Sequence, residues 1–274
     1  MKQILLVTAS THFPKGPLAF LQAMQPREKI HARGLFFEPI DFTALSKATR
    51  TTYNLTPLIE LEKTEKAIVA SQKASFAQAC EQSKIPYTIH DNDQGWDKDL
   101  LIRESKFADL ILISDELFYA EAWEKQPNLY LREILHNAQC PVLAIPESFT
   151  HIEQLFIAYD GSLESLYALK QFCYLFPAFT DLPAELVYCK KESGDAIPEI
   201  DALEQYIRLK LPFTRYSKLH FKASSYFPTW ISEKKDALLI SGSFGRSSIS
   251  NATRHSFAEE LIREHKLPIF IAHK

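Results

Sequence analysis

The chain has 274 residues, 46% of them hydrophobic and 24% charged, with a formal net charge of −3. That composition describes a soluble globular protein of one large or two ordinary domains. It excludes a strongly basic nucleic-acid binder and gives no electrostatic attraction to an anionic membrane. No apolar run approaches the ~18 residues that a membrane-spanning helix requires. The first residues, MKQILLVTASTHFPKG, read as an opening strand and lack the long apolar core of a signal peptide. The four cysteines, Cys80, Cys140, Cys173 and Cys189, are far apart with no CxxC, which suits the reducing cytoplasm.

In chain order, QILLVT (3–8) reads as a strand, GPLAFLQAM (16–24) as a helix and KIHARGLFF (29–37) as a strand. Thr56-Pro57 then opens a long helix: Thr is a good N-cap and Pro is tolerated in the first turn. Leu58, Leu61, Ala67 and Ile68 recur with helical spacing, and the helix is expected to reach about Ser83. YTIH (87–90) is a strand, WDKDLLIRESKF (96–107) a helix, ADLILIS (108–114) a strand, LYLREILHNA (129–138) a helix and PVLAIP (141–146) a strand. The unbroken apolar run of 108–114 is typical of a parallel strand covered on both faces.

The pattern then restarts. QLFIAYD (154–160), AELVYCK (184–190), YSKLHFK (216–222), DALLIS (236–241) and LPIFIAHK (267–274) are strands, separated by helices over 162–176, 198–210, a stretch ending at Lys235, and 257–266. Strands that alternate with helices imply parallel pairing and right-handed crossovers. An ungapped shift of 127 residues lays Asp109-Leu-Ile-Leu-Ile-Ser114 over Asp236-Ala-Leu-Leu-Ile-Ser241, and Cys140-Pro-Val over Leu267-Pro-Ile. Two such periods mean two tandem α/β domains, residues 1–148 and 152–274, with a polar connection near 146–154.

One stretch of the second half has the order of a phosphate cradle. Gly242 and Gly245, two of only seven glycines, follow a strand and precede a helix. Glycine lets backbone N–H groups approach an oxygen closely, and a helix N-terminus adds unpaired donors and a partial positive charge. Arg246 and Arg254 are nearby cations, and Ser256 could donate its hydroxyl to a phosphate. Each residue also has an ordinary structural reading. Ser256 and Glu259 form a capping box, Asp160-Gly161-Ser162 is turn chemistry with Ser162 as a cap, and the arginines suit a solvated surface.

These residues carry a resemblance. Tyr159-Asp160-Gly161-Ser162 at the end of a first strand, then Gly242-x-x-Gly245, a nine-residue spacer and His255-Ser256, resemble the nucleotide-binding branch of the universal stress protein (UspA-like) family. The match spans most of the second half; the first half resembles the same fold only through the repeat. The resemblance implies a tandem form, each domain a doubly wound, Rossmann-like open sheet of five parallel strands in the order 3-2-1-4-5. It implies a ligand at the carboxyl ends of strands 1 and 4, where strand order reverses. It also implies ATP or a related adenine nucleotide as ligand, held by Asp160, Gly161, Ser162, Gly242, Gly245, Arg246, His255 and Ser256, with Asp160 at the adenosine end. His255 departs from the family's glycine. Its imidazole either blocks the phosphate or meets it as a cation.

Under the 127-residue shift the first half has Asp115 for Gly242, Phe118 for Gly245, Asn128 for His255 and Leu129 for Ser256; at the first strand of each half, aligned separately, Ala9 stands for Asp160. Its loop, DELFYAEAWEKQPN, is glycine-free and acidic, so no nucleotide is expected there. The final strands, Val142–Ile145 and Ile269–Ala272, are expected to pair as a pseudo-dimer of the two halves, and a homodimer of chains is open.

The expected activity is sensing or regulation by bound nucleotide, with little or no hydrolysis, since no general base, catalytic residue or metal-ligand set stands out. A scaffold protein that binds no nucleotide is the alternative. A nucleotidyl-transfer enzyme is the least supported reading, because His12-Phe-Pro-Lys15 lacks the second histidine that such chemistry uses. His90-Asp91-Asn92-Asp93 reads as a solvated polar loop.

Overall fold

A computed structural model describes residues 1–9, 13–37, 56–90, 98–114, 137–189, 197–219, 227, 230, 231, 233–242 and 267–272. The first half contains β1 (Lys2–Ala9), α1 (Lys15–Met24), β2 (Ile30–Phe37), α2 (Thr56–Gln82), β3 (Tyr87–His90), α3 (Lys98–Ser105), β4 (Leu110–Ser114) and β5 (Val142–Ile145). The second contains β6 (Gln154–Tyr159), α4 (Leu163–Leu175), a 3-10 turn at Pro177–Phe179, β7 (Ala184–Cys189), α5 (Ile200–Lys210), β8 (Thr214–Leu219), β9 (Ala237–Gly242) and β10 (Ile269–Ala272). The helices expected over 129–138 and 257–266 lie almost wholly outside the described residues.

The strands form one sheet of ten, in the order β3-β2-β1-β4-β5-β10-β9-β6-β7-β8. The repeat predicts a five-stranded sheet in each half with the final strands pairing, and the structure joins the two runs into this one sheet. The β5 and β10 edges, apolar and fully buried, pair antiparallel and fuse the two runs; every other strand pair is parallel. An unpaired apolar edge would leave a row of backbone donors and acceptors open, and the fusion closes both edges at once.

The cores follow the sheet rather than the halves. On one face Ile4, Leu6 and Phe20 belong to the same buried cluster as Leu155, Phe172 and Phe270; on the other, Leu5 and Ile111 join Phe156 and Ile269. Phe20 of α1 stacks on Phe179 and meets Phe149 and Phe176 edge-on, all three from beyond the end of β5. Lys2 Nζ donates to the Leu175 carbonyl at the end of α4 and pairs with Glu28 at 2.9 Å. Arg27 lies over the Phe179 ring.

The strand register corrects one correspondence between the halves. Ile111 N donates to the Pro141 carbonyl, and Leu239 N to the Pro268 carbonyl, both at 2.9 Å. Leu110 and Leu112 share a face with Leu238 and Ile240. β4 and β9 therefore correspond with one residue more than the 127-residue shift, and Ser114, not Asp115, is the counterpart of Gly242. Both strands are buried along their whole length, so neither has the in–out alternation that would have revealed the slip.

Candidate functional site

Strand order reverses at β6, which has β7 on one side and β9 on the other. The connections from β6 therefore diverge at its carboxyl end, and α4 starts there. The local sequence builds the entry to α4 in three steps. Asp160 Oδ1 accepts a hydrogen bond from Ser162 N at 2.9 Å, closing an Asx turn. Gly161 sits at φ +84°, a conformation that favours glycine. Ser162 is the N-cap: its Oγ accepts from Ser165 N at 3.2 Å, while Ser165 Oγ donates back to the Ser162 carbonyl at 2.9 Å. Glu164 in the first turn complements the positive end of the helix.

Gly242 ends β9 against this same turn. A Cβ there would lie 2.6 Å from both Glu164 C and Ser165 N, so the strand passes the helix backbone at a distance that only glycine allows. A Cβ on Gly161 would lie 2.8 Å from Pro198 Cγ. Pro198 precedes α5, and its carbonyl accepts from Tyr159 Oη at 3.4 Å. Its neighbour Glu199 adopts a left-handed φ of +52° as the N-cap residue of α5. Burial, followed by the charges of Glu199 and Asp160, pushes the Tyr159 phenol above its ordinary pKa and keeps it a neutral donor.

The structure thus brings Asp160, Gly161, Ser162 and Gly242 together around the first turn of α4. Gly245, Arg246, His255 and Ser256 lie outside the described residues, as does the whole acidic loop of the first half. Sequence reasoning missed Pro198 and Glu199. Their only local signal was a proline ahead of a helical pattern, which marks a helix start and not a neighbour of Gly161.

The corresponding helix of the first half begins differently. The N-cap position of α1 is Pro14, with no side-chain cap, and Glu147 Oε2 accepts from Gly16 N at 2.9 Å. A Cβ on Gly16 would lie 2.1 Å from the Pro146 carbonyl oxygen. Each half therefore permits one close backbone approach through a glycine, on the strand in one case and on the helix in the other.

No protein-family model matches the chain, and no curated protein matches it. Among solved structures, a universal stress protein from Archaeoglobus fulgidus DSM 4304 superposes with a TM-score of 0.70 at 17% identity, over 100% of this chain and 96% of that one. The fold is that of a universal stress protein. An E. coli heptosyltransferase WaaC with ADP-2-deoxy-2-fluoro heptose (TM-score 0.26, 9% identity, 97% of this chain and 87% of that chain) carries no argument. Neither does a gamma-glutamyl phosphate reductase from Saccharomyces cerevisiae (TM-score 0.23, 12% identity, 96% and 61%). No described helix is long and apolar enough to cross a membrane.

Proposed function

We infer that this protein is a cytoplasmic stress-response regulator of the universal stress type, tandem in form, with residues 1–148 and 152–274 as its two units. In this reading ATP or a related adenine nucleotide binds the second unit only, with little or no hydrolysis. The observation that carries it is the position of Asp160 and of the α4 N-terminus at the carboxyl end of β6, where the strand order reverses. Asp160 is partly exposed and has one oxygen on Ser162 N; an ionised carboxylate has about four acceptor positions, so it retains capacity for a ribose hydroxyl. The phosphates would then fall to the loop that runs from Gly242 through Gly245 and Arg246 to His255 and Ser256.

A second reading, a scaffold that binds no nucleotide, is favoured by a specific observation. Asp160, Gly161, Ser162 and Gly242 all have structural work in turn, cap and packing. Calorimetric titration of the purified chain with ATP separates the two. Saturable binding that is lost in Gly245→Trp, with the circular dichroism spectrum retained, supports the nucleotide reading. No binding to the wild type at millimolar ATP overturns it in favour of the scaffold.

A further inference from the structure

The ten-stranded sheet ends at β3 on one side and at β8 on the other. β3 has four residues, whereas β8 has six. The Phe213 carbonyl accepts from Ala184 N at 3.0 Å, and the register sets Thr214 beside Ala184 and Tyr216 beside Leu186. Successive residues of a strand turn their backbone groups to opposite sides, so Phe213, Arg215 and Ser217 face β7. Thr214, Tyr216 and Lys218 therefore turn theirs away from the sheet, where no described strand meets them. The side chains of Arg215, Tyr216 and Lys218 are exposed, so this edge is open to solvent.

The charge along this edge is of one sign. From Gln205 to Ser232 the chain carries Arg208, Lys210, Arg215, Lys218 and Lys222 and no Asp or Glu, within a protein of net charge −3. Two acids that flank β8 are already engaged: Glu204 pairs with Arg208 at 3.2 Å, and Glu185 accepts from Ser217 Oγ. Arg215 shares a face of the sheet with Ser217 and Glu185, and Lys218 shares the other with Tyr216. Phe213, 63% exposed, and Tyr216, 36% exposed, add apolar surface at the same edge. Cations on an edge strand deter pairing with its own kind. A second β8 running antiparallel about its centre would set Arg215 against Lys218, and like charges placed opposite each other destabilise pairing. The same cations attract a strand that carries carboxylates.

We propose that β8 is the docking edge for an extended acidic segment of a partner protein, which adds to the sheet as a further strand. The outward backbone groups of Thr214, Tyr216 and Lys218 supply its main-chain hydrogen bonds, and the side chains supply its specificity. Carboxylates of the segment meet Arg215 on one face and Lys218 on the other, and an apolar side chain covers Tyr216. A nucleic acid answers the charge but cannot continue a β-ladder, so the open backbone favours a peptide. β7 separates this edge from β6, and the docking does not rest on nucleotide binding.

Fluorescence polarisation of the full chain with a labelled octapeptide, Thr-Glu-Val-Glu-Glu-Val-Glu-Thr, tests it. Saturable binding is expected, weakened by added salt and lost when glutamine replaces each glutamate of the peptide. Arg215→Glu combined with Lys218→Glu should weaken binding by about tenfold or more. A backbone readout separates strand addition from charge alone. Tyr216→Pro removes an outward N–H without breaking a bond to β7, whereas Tyr216→Ala keeps it, so the proline variant should bind more weakly than the alanine variant. Circular dichroism checks that each variant is folded, and the charge-reversed pair tests the proposal by itself if the proline variant is not. Failure of the peptide to bind at millimolar concentration, equal binding of the glutamine peptide, unchanged binding in the charge-reversed variant, equal binding by folded proline and alanine variants, or capture of a labelled oligothymidylate in place of the peptide would each overturn it.

Discussion

Leu143 pairs with Phe270, its own counterpart in the repeat, at the centre of the antiparallel contact between β5 and β10. The neighbouring pairs, Val142 with Ile271 and Ala144 with Ile269, are related by the same exchange. A local two-fold axis therefore passes through the Leu143–Phe270 pair. It explains why the two halves join by an antiparallel contact although each is internally parallel.

Because the cores cross this axis, the halves should unfold together. Phe20→Ala removes a fully buried ring that touches Phe149, Phe176 and Phe179, at an expected cost of about 3–5 kcal/mol. Urea denaturation followed by circular dichroism and by intrinsic fluorescence should give coincident transitions for wild type and variant alike. Two separated transitions in the wild type would mean independent halves.

Gly242→Ala should lower stability with no ligand present. The added methyl group meets the backbone of Glu164 and Ser165 at 2.6 Å, where no side chain can rotate away. Overpacking of this kind costs about 1–3 kcal/mol. An unchanged denaturation midpoint would show that α4 shifts freely, and would leave ligand contact as the reason for the glycine.

The turn before α4 separates cap from charge. Ser162→Ala removes the acceptor for Ser165 N and should cost about 1 kcal/mol. Asp160→Asn keeps a side-chain oxygen for Ser162 N and should stay near wild-type stability, whereas Asp160→Ala loses it. Thermal melts of the three variants check the order. If Asp160→Asn also weakens ATP binding while leaving the melt unchanged, the carboxylate acts on ligand and not only on the turn.

The described thiols should be inert in the folded protein. Burial is the leading cause that pushes Cys80 and Cys140 up to about 12 and Cys173 up to about 11, from an ordinary 9.0. Each stays protonated in the fold after its unfolded counterpart has ionised. Their contribution to stability is complete below pH 9.0 and is lost as pH rises towards about 11–12. Disulfide-exchange labelling at pH 8 should modify these three only at the rate of unfolding; prompt native labelling of any of them, mapped by mass spectrometry, contradicts this.

Local chemistry was readable in the sequence. Strand and helix alternation, the start of α2 at Thr56-Pro57 and the cap at Ser162 depend on residues within a few positions of one another, and the structure has them in place. The pairing partners Val142–Ile145 and Ile269–Ala272 were also visible, because short apolar strands ending each repeat need cover. What the tertiary structure alone decided depends on parity and on distance. LILIS and ALLISG are apolar at nearly every position, so nothing in them distinguishes one face from the other, and only the hydrogen-bond register set the one-residue offset. The tight passage of Gly242 past Glu164, the reach of Glu147 to Gly16 and the convergence of His151 with Asp236 join segments 78 to 131 residues apart. No periodicity encodes such contacts, because they follow from how the ten-stranded sheet places its strand ends.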